Sequence, residues 1–160
     1  MHALHSSLAL LFTELTDGPA PDAAYMLNGG DLGLIRSLDG LSAEAASQRS
    51  AAGGASIAAH VDHICYGLEL MNRWSDGEAN PWRTADWSAS WRRGTVNQGE
   101  WDALRERLRQ STLHWRAALE TPREMSSIEL NGVIGSVAHL AYHLGAIRQI
   151  DRSIQGPKET

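Results

Sequence analysis

Leucines recur at Leu4, Leu8, Leu11 and Leu15, spacings of four, three and four that line one face of an α-helix over residues 3–17. Asp17-Gly18-Pro19 stops that helix. Residues 18–30 carry turn formers and read as loop. Asp31 is placed to cap a short helix through Leu38 that buries Leu34, Ile35 and Leu38. Ser42 begins another, with Glu44 in its first turn, and Ala51-Ala52-Gly53-Gly54 is a flexible break. Over residues 55–74 the stripe is Ile57, Val61, Ile64, Leu68 and Met71, with Ser56 as N-cap and Cys65 as a small core hydrophobe. The pattern then lapses through residues 75–96, around Pro81. It resumes over residues 97–120 with Trp101, Leu104, Leu108, Thr112, Trp115 and Leu119, after an Asn97–Glu100 capping pair. The last stripe, Val133, Val137, Leu140, Leu144, Ile147 and Ile154, predicts a helix over residues 131–154.

No segment of useful length alternates with strand period, and no internal repeat is present. The pattern predicts an all-α fold, a four-helix bundle with a long crossover between its second and third long helices. We expect a single domain over residues 1–160, with residues 153–160 as a flexible tail. Asp102, Arg105, Glu106, Arg107 and Arg109 read as a solvated face of the third long helix, and His114 as exposed. His2 and His5, at the start of the first helix, read as exposed and idle.

Composition narrows the function classes. Lys and Arg number 14 against 19 Asp and Glu, a formal net charge of −5. That balance disfavours nucleic acid and anionic membrane as partners. A single cysteine, Cys65, excludes an internal disulfide and suits a reducing compartment. The N-terminal residues lack a basic segment before their short apolar run, and no run reaches the roughly 20 apolar residues of a membrane span. A cytoplasmic protein is expected. Five of the six tryptophans, Trp74, Trp82, Trp87, Trp91 and Trp101, fall in or beside the crossover. Sealing a bundle end or an oligomer interface is favoured for them over walling a substrate pocket.

The chemistry concentrates in the last helix. His139 and His143 are four residues apart, so both imidazoles project from one face. Two neutral imidazoles on adjacent turns form half of a transition-metal site. The second long helix offers the third ligand at His60 or His63, which lie about 40° and about 100° from Ile64 on a helical wheel. Three protein ligands leave coordination positions open, the catalytic arrangement, and the metal would act as a Lewis acid or lower the pKa of a bound water or thiol. Leu140 follows His139 where a zinc protease of the HExxH type has its glutamate, so that mechanism is disfavoured. The di-iron Glu-x-x-His pairs, a serine nucleophile elbow and a glycine-rich phosphate loop are all missing. Asp62 and Glu69 are general-base candidates by proximity alone.

SIAAHVDHI at residues 56–64 and HLAYHLGAIRQI at residues 139–150 resemble the DinB-like superfamily, most specifically in the HxxxHxG of His139, His143 and Gly145. The resemblance runs from about residue 4 to residue 152. It implies a four-helix bundle with a long second-to-third crossover, often dimeric, holding a divalent metal, zinc or nickel, through three histidines. Carried over residue by residue, the ligands are His63, seven residues after Ser56 and followed by Ile64, with His139 and His143. His60 is left as an outer neighbour or core residue, Gly145 as a point of close helix approach, and Arg148 and Gln149 without a role. The implied activity is that of a metal-dependent hydrolase or a low-molecular-weight-thiol transferase acting on a small molecule, in a homodimer. The competing expectation is a non-catalytic bundle that binds a small ligand or dimerises through its Trp-rich crossover.

Overall fold

Three of the four long helices begin on a side chain that satisfies their unpaired N–H groups. Ser56 Oγ accepts from Ala59 N, and Asn97 with Glu100 and Ser126 with Glu129 both form reciprocal capping boxes. The computed structural model describes residues 2–49 and 53–158. Among them are six α-helices: α1 (His2–Asp17), α2 (Gly33–Asp39), α3 (Ala43–Ser47), α4 (Ile57–Ser75), α5 (Gln98–Glu120) and α6 (Ser127–Ile150). Short 3₁₀ turns occupy Pro81–Thr84, Ala89–Arg92 and Arg152–Ile154, and the described residues form no strand. The break expected at Ala51-Ala52-Gly53-Gly54 lies partly outside the described residues.

The expected all-α bundle is what forms. α1 packs on α5 and α6, and α4 packs on the same two helices, so the four long helices close a ring with α1 and α4 across the diagonal. Phe12, Ile57, Trp101 and Ile147 are wholly buried in one contiguous core. The two large indoles inside it have partners: Trp101 Nε1 donates to the Leu41 carbonyl at 2.9 Å and Trp115 Nε1 to Ser136 Oγ at 3.0 Å. Cys65 is fully buried, its Sγ 3.9 Å from the Leu104 carbonyl, and burial pushes the thiol up to about 12.

Cross-helix contacts set the directions. His60 meets His143 and His63 meets His139, so α4 and α6 are antiparallel. Cys65 meets Leu104 and Asn72 meets Ser111, so α4 and α5 run parallel. A parallel pair forces the intervening chain back along the bundle, and the 19 residues of α4 span about 28 Å. That return is the Trp-rich crossover. It is pinned to α4 where Asp86 N donates to the Tyr66 hydroxyl at 2.9 Å and Arg93 Nε reaches Asp62 at 3.0 Å.

The structure corrects several expectations. α6 starts at Ser127, four residues before the expected 131, because Ser126-x-x-Glu129 caps it. It ends at Ile150, and Ile154 belongs to a separate 3₁₀ turn. His5 is buried, its ring nitrogens 3.3 Å from the carbonyls of Leu119 and Arg123, because α5 ends against α1. The side chain of His2 lies outside the described residues. Leu32, not Asp31, occupies the N-cap position of α2, although Asp31 Oδ1 still accepts from Gly33 N at 2.8 Å. Arg107 is not simply solvated: it folds onto α4 to bind Asp62 at 2.6 Å and both oxygens of Glu69. Gly145 has nothing within 4 Å of where a Cβ would stand, so it marks no close helix approach.

α6 is also tied to the chain ends around it. Asp31, 4 % exposed, forms an ion pair with Arg148 Nη2 at 2.7 Å. Gly156 lies against the same carboxylate so closely that an added Cβ would collide with it. Asn28 Nδ2 donates to the Pro157 carbonyl at 2.8 Å.

Candidate metal centre

The antiparallel register of α4 and α6 brings four histidines into one cluster. His63 Nε2 lies 3.2 Å from His139 Nε2, and His143 Nε2 lies 2.9 Å from the same atom. One nitrogen from each of His63, His139 and His143 lies within 4.8 Å of the other two, so the group could hold a metal ion. His60 stands one turn before His63, and its Nδ1 is 2.9 Å from His143 Nδ1. The expected ligands are thus together, and His60 touches the outer nitrogen of one of them.

These contacts fit a cation better than they fit one another. A neutral imidazole nitrogen carries either one hydrogen or one lone pair. His139 Nε2 therefore makes one good hydrogen bond and leaves its second neighbour without one. Nitrogens bound tetrahedrally at about 2.0–2.1 Å from zinc stand about 3.4 Å apart, within a few tenths of the two separations above. With all three Nε2 lone pairs turned inward, the hydrogens sit on Nδ1. His143 Nδ1–H then donates to His60 Nδ1, the outer hydrogen bond that orients a ligating histidine. His63 Nδ1 is buried with no hydrogen-bond partner, and this ring is held by stacking on Trp91, 4.3 Å between centroids and 28° between planes.

Burial, before any neighbouring charge, keeps the rings neutral. Burial, then the neighbouring His139 and His60, lower His63 to about 4 against the opposing pull of Asp62. Burial and the other three histidines lower His143 to about 3. Burial also lowers His60 and His139. Neutral imidazole is the form that ligates a metal. The general-base candidates are committed elsewhere: Asp62 to Arg93 of the crossover and Arg107 of α5, and Glu69 to Arg107.

The crossover covers the cluster. Trp91 lies against His60, His63 and His143, and Trp87 lies 5.8 Å from His63 between centroids. Trp82 and Trp87 also wall a cavity of about 280 Å³ between α4 and α6 that ends at His139. Pocket walling, the less favoured reading of the tryptophans, describes Trp82 and Trp87, Trp91 lies on the histidines, and Trp74, Trp101 and Trp115 pack inward. Trp91 was not legible as a neighbour of the histidines; its only sequence signal was its four-residue spacing from Trp87. Gly132 and Gly135, which line the cavity, gave no signal beyond weakening a helical pattern.

Comparison with curated proteins and with solved structures gave no significant match. A family model does match: that of the DinB superfamily, over residues 34–147, from the start of α2 to the last turn of α6. All four clustered histidines fall within the matched span, and the chain belongs to the DinB superfamily.

Proposed function

We propose that this protein is a divalent-metal-dependent enzyme acting on a small molecule, with His63, His139 and His143 as the metal ligands and zinc or nickel as the metal. The observation that carries the reading is the meeting of three neutral Nε2 atoms at 2.9 and 3.2 Å on two rigid helices. A divalent ion bound there supplies Lewis-acid polarisation of a substrate oxygen or sulfur. The chain's own groups do the rest. His60 accepts the His143 Nδ1 hydrogen and fixes that ring. Trp91 holds His63 by stacking, and Trp87 and Trp91 keep bulk water from the cluster. Hydrolysis and transfer involving a low-molecular-weight thiol are the two reaction classes we propose, separated by whether turnover requires added thiol. We place the protein in the cytoplasm as a homodimer without nucleic-acid or membrane partners; among the described residues no helix is long and apolar enough to cross a membrane.

The test is elemental analysis of untagged protein after reconstitution with zinc or nickel. Wild type should hold about one metal per chain, His63→Ala and His139→Ala none, and His60→Ala should still hold it. Wild type that takes up no metal overturns the reading. It would favour a non-catalytic bundle, for which the exposed Ile134 and Tyr142 on α6 offer a contact face.

A further inference from the structure

The cavity beside His139 has a chemical character of its own. Ile64, Gly67, Leu68 and Met71 form one wall from α4, and Trp82 and Trp87 form the roof. Gly132, Gly135, Ser136, His139 and Leu140 of α6 form the other wall. No lining side chain is a lysine, arginine, aspartate or glutamate. The Ser136 hydroxyl is already used: it donates to the Val133 carbonyl at 2.7 Å and accepts from Trp115 Nε1 at 3.0 Å. Apart from the indole N–H groups of Trp82 and Trp87, that leaves His139 as the polar group of the lining. From Ile64 to Met71 the α4 wall runs about 10 Å along the helix.

Two glycines keep this space open. A glycine inside a helix costs roughly 0.5–1 kcal/mol relative to alanine, so it needs a reason. Neither Gly132 nor Gly135 has positive φ, and neither has any atom within 4 Å of where a Cβ would stand. Turn geometry and close packing are therefore not the reason. Both residues are exposed, so what their missing side chains leave is the open side of the cavity.

We infer that this cavity binds an uncharged, largely apolar small molecule of one or two rings, its single polar end directed at His139 and its body between Trp87 and the Gly132–Gly135 face of α6. The inference rests on the proposed metal site for which end of the ligand reacts, and on the lining alone for the ligand's class. A dry cavity of about 150 Å³ accommodates benzene, so about 280 Å³ accommodates a bicyclic body. In the metal-free protein a carboxylate or phosphate seated here would lose hydration with no lysine or arginine in the lining to replace it.

The test uses a matched pair, 2-naphthamide and 2-naphthoate, titrated into the full-length protein by equilibrium dialysis. The deciding arm is chelator-treated protein, where carboxylate–metal coordination cannot contribute. We expect one 2-naphthamide bound per chain, at least tenfold tighter than 2-naphthoate. Gly135→Leu should weaken it at least tenfold, while Gly145→Leu, on the same helix but outside the cavity, should not. Gly132→Leu serves as the second blocking variant if Gly135→Leu loses its helical circular dichroism. Absence of saturable binding, equal binding of the two probes, or equal effects of the blocking variants and Gly145→Leu would overturn the inference. Metal content measured on the same wild-type preparation keeps the two proposals apart. Metal uptake without amide preference defeats the cavity assignment alone, and amide preference without metal uptake defeats the metal reading alone.

Discussion

The Nδ1 atoms of His60 and His143 lie 2.9 Å apart, so the hydrogen between them decides whether His143 Nε2 presents a lone pair to the cluster. With that hydrogen on His143, its Nε2 lone pair is aimed at His139 and His63. The contact ties the first histidine of α4 to the last histidine of α6 without making His60 a member of the inner three.

His60→Ala should keep about one metal per chain yet weaken its binding by about 10–100-fold, the usual effect of losing an outer hydrogen-bond partner. Competition against a chelator of known affinity measures this. His60→Gln, whose side-chain oxygen can accept the same hydrogen, should recover part of the loss. Unchanged affinity in His60→Ala would show that the contact orients nothing.

Acid should destabilise the metal-free protein. An unfolded histidine titrates near 6.5, whereas folded His63 and His143 titrate at about 4 and about 3. Between those values the unfolded chain binds more protons, so stability is full above about pH 6.5 and falls as the pH is lowered toward 3. Few carboxylates titrate above pH 5, so Tm measured from pH 7 to 5 isolates the histidines. A flat Tm over that range contradicts the assignment. Bound metal should be released in the same direction, because protonated imidazole does not ligate.

Arg148→Ala should cost about 3–5 kcal/mol, because it leaves the buried Asp31 carboxylate without its cation. Chemical denaturation gives the number. The double variant Arg148→Met with Asp31→Leu should be milder than Arg148→Ala alone, since it removes the stranded charge. The family-type motif thus carries a structural anchor one turn beyond its histidines.

Glu14→Ala should lower stability by about 3 kcal/mol. Its Oε1 accepts three successive backbone N–H groups, from Tyr25 at 3.0 Å and from Met26 and Leu27 at 2.7 Å. Amide exchange at residues 25–27 should rise by orders of magnitude in the variant, and unchanged protection there would refute the role.

The helices were legible because their stripes are regular and their caps are local. Ser56 and Asn97 announce their helices in four residues of sequence. The start of α6 was less legible, since its capping box of Ser126 and Glu129 stands seven residues ahead of the first stripe residue, Val133. The three inner histidines could be named from the family-type motif and spacing. What joins them to their surroundings could not, because it depends on tertiary register. His5 meets the end of α5 across 114 residues, and Trp91 reaches His63 only because the crossover folds back over α4. The open faces of Gly132 and Gly135 are likewise visible only once α4 is set beside them.

The parallel course of α4 and α5 has a consequence for how this protein can change. The three inner histidines sit on helices fixed by their own backbone hydrogen bonds, whereas Trp82, Trp87 and Trp91 sit on the returning segment. The lining of the cavity can therefore change without a change in the helices that carry the histidines. Substitutions at Trp82 and Trp87 would reshape the cavity beside His139, whereas Trp91 stays tied to His63 by stacking and Asn97 to the cap of α5, so the segment divides into a part free to vary and a part bound to the histidines and the bundle.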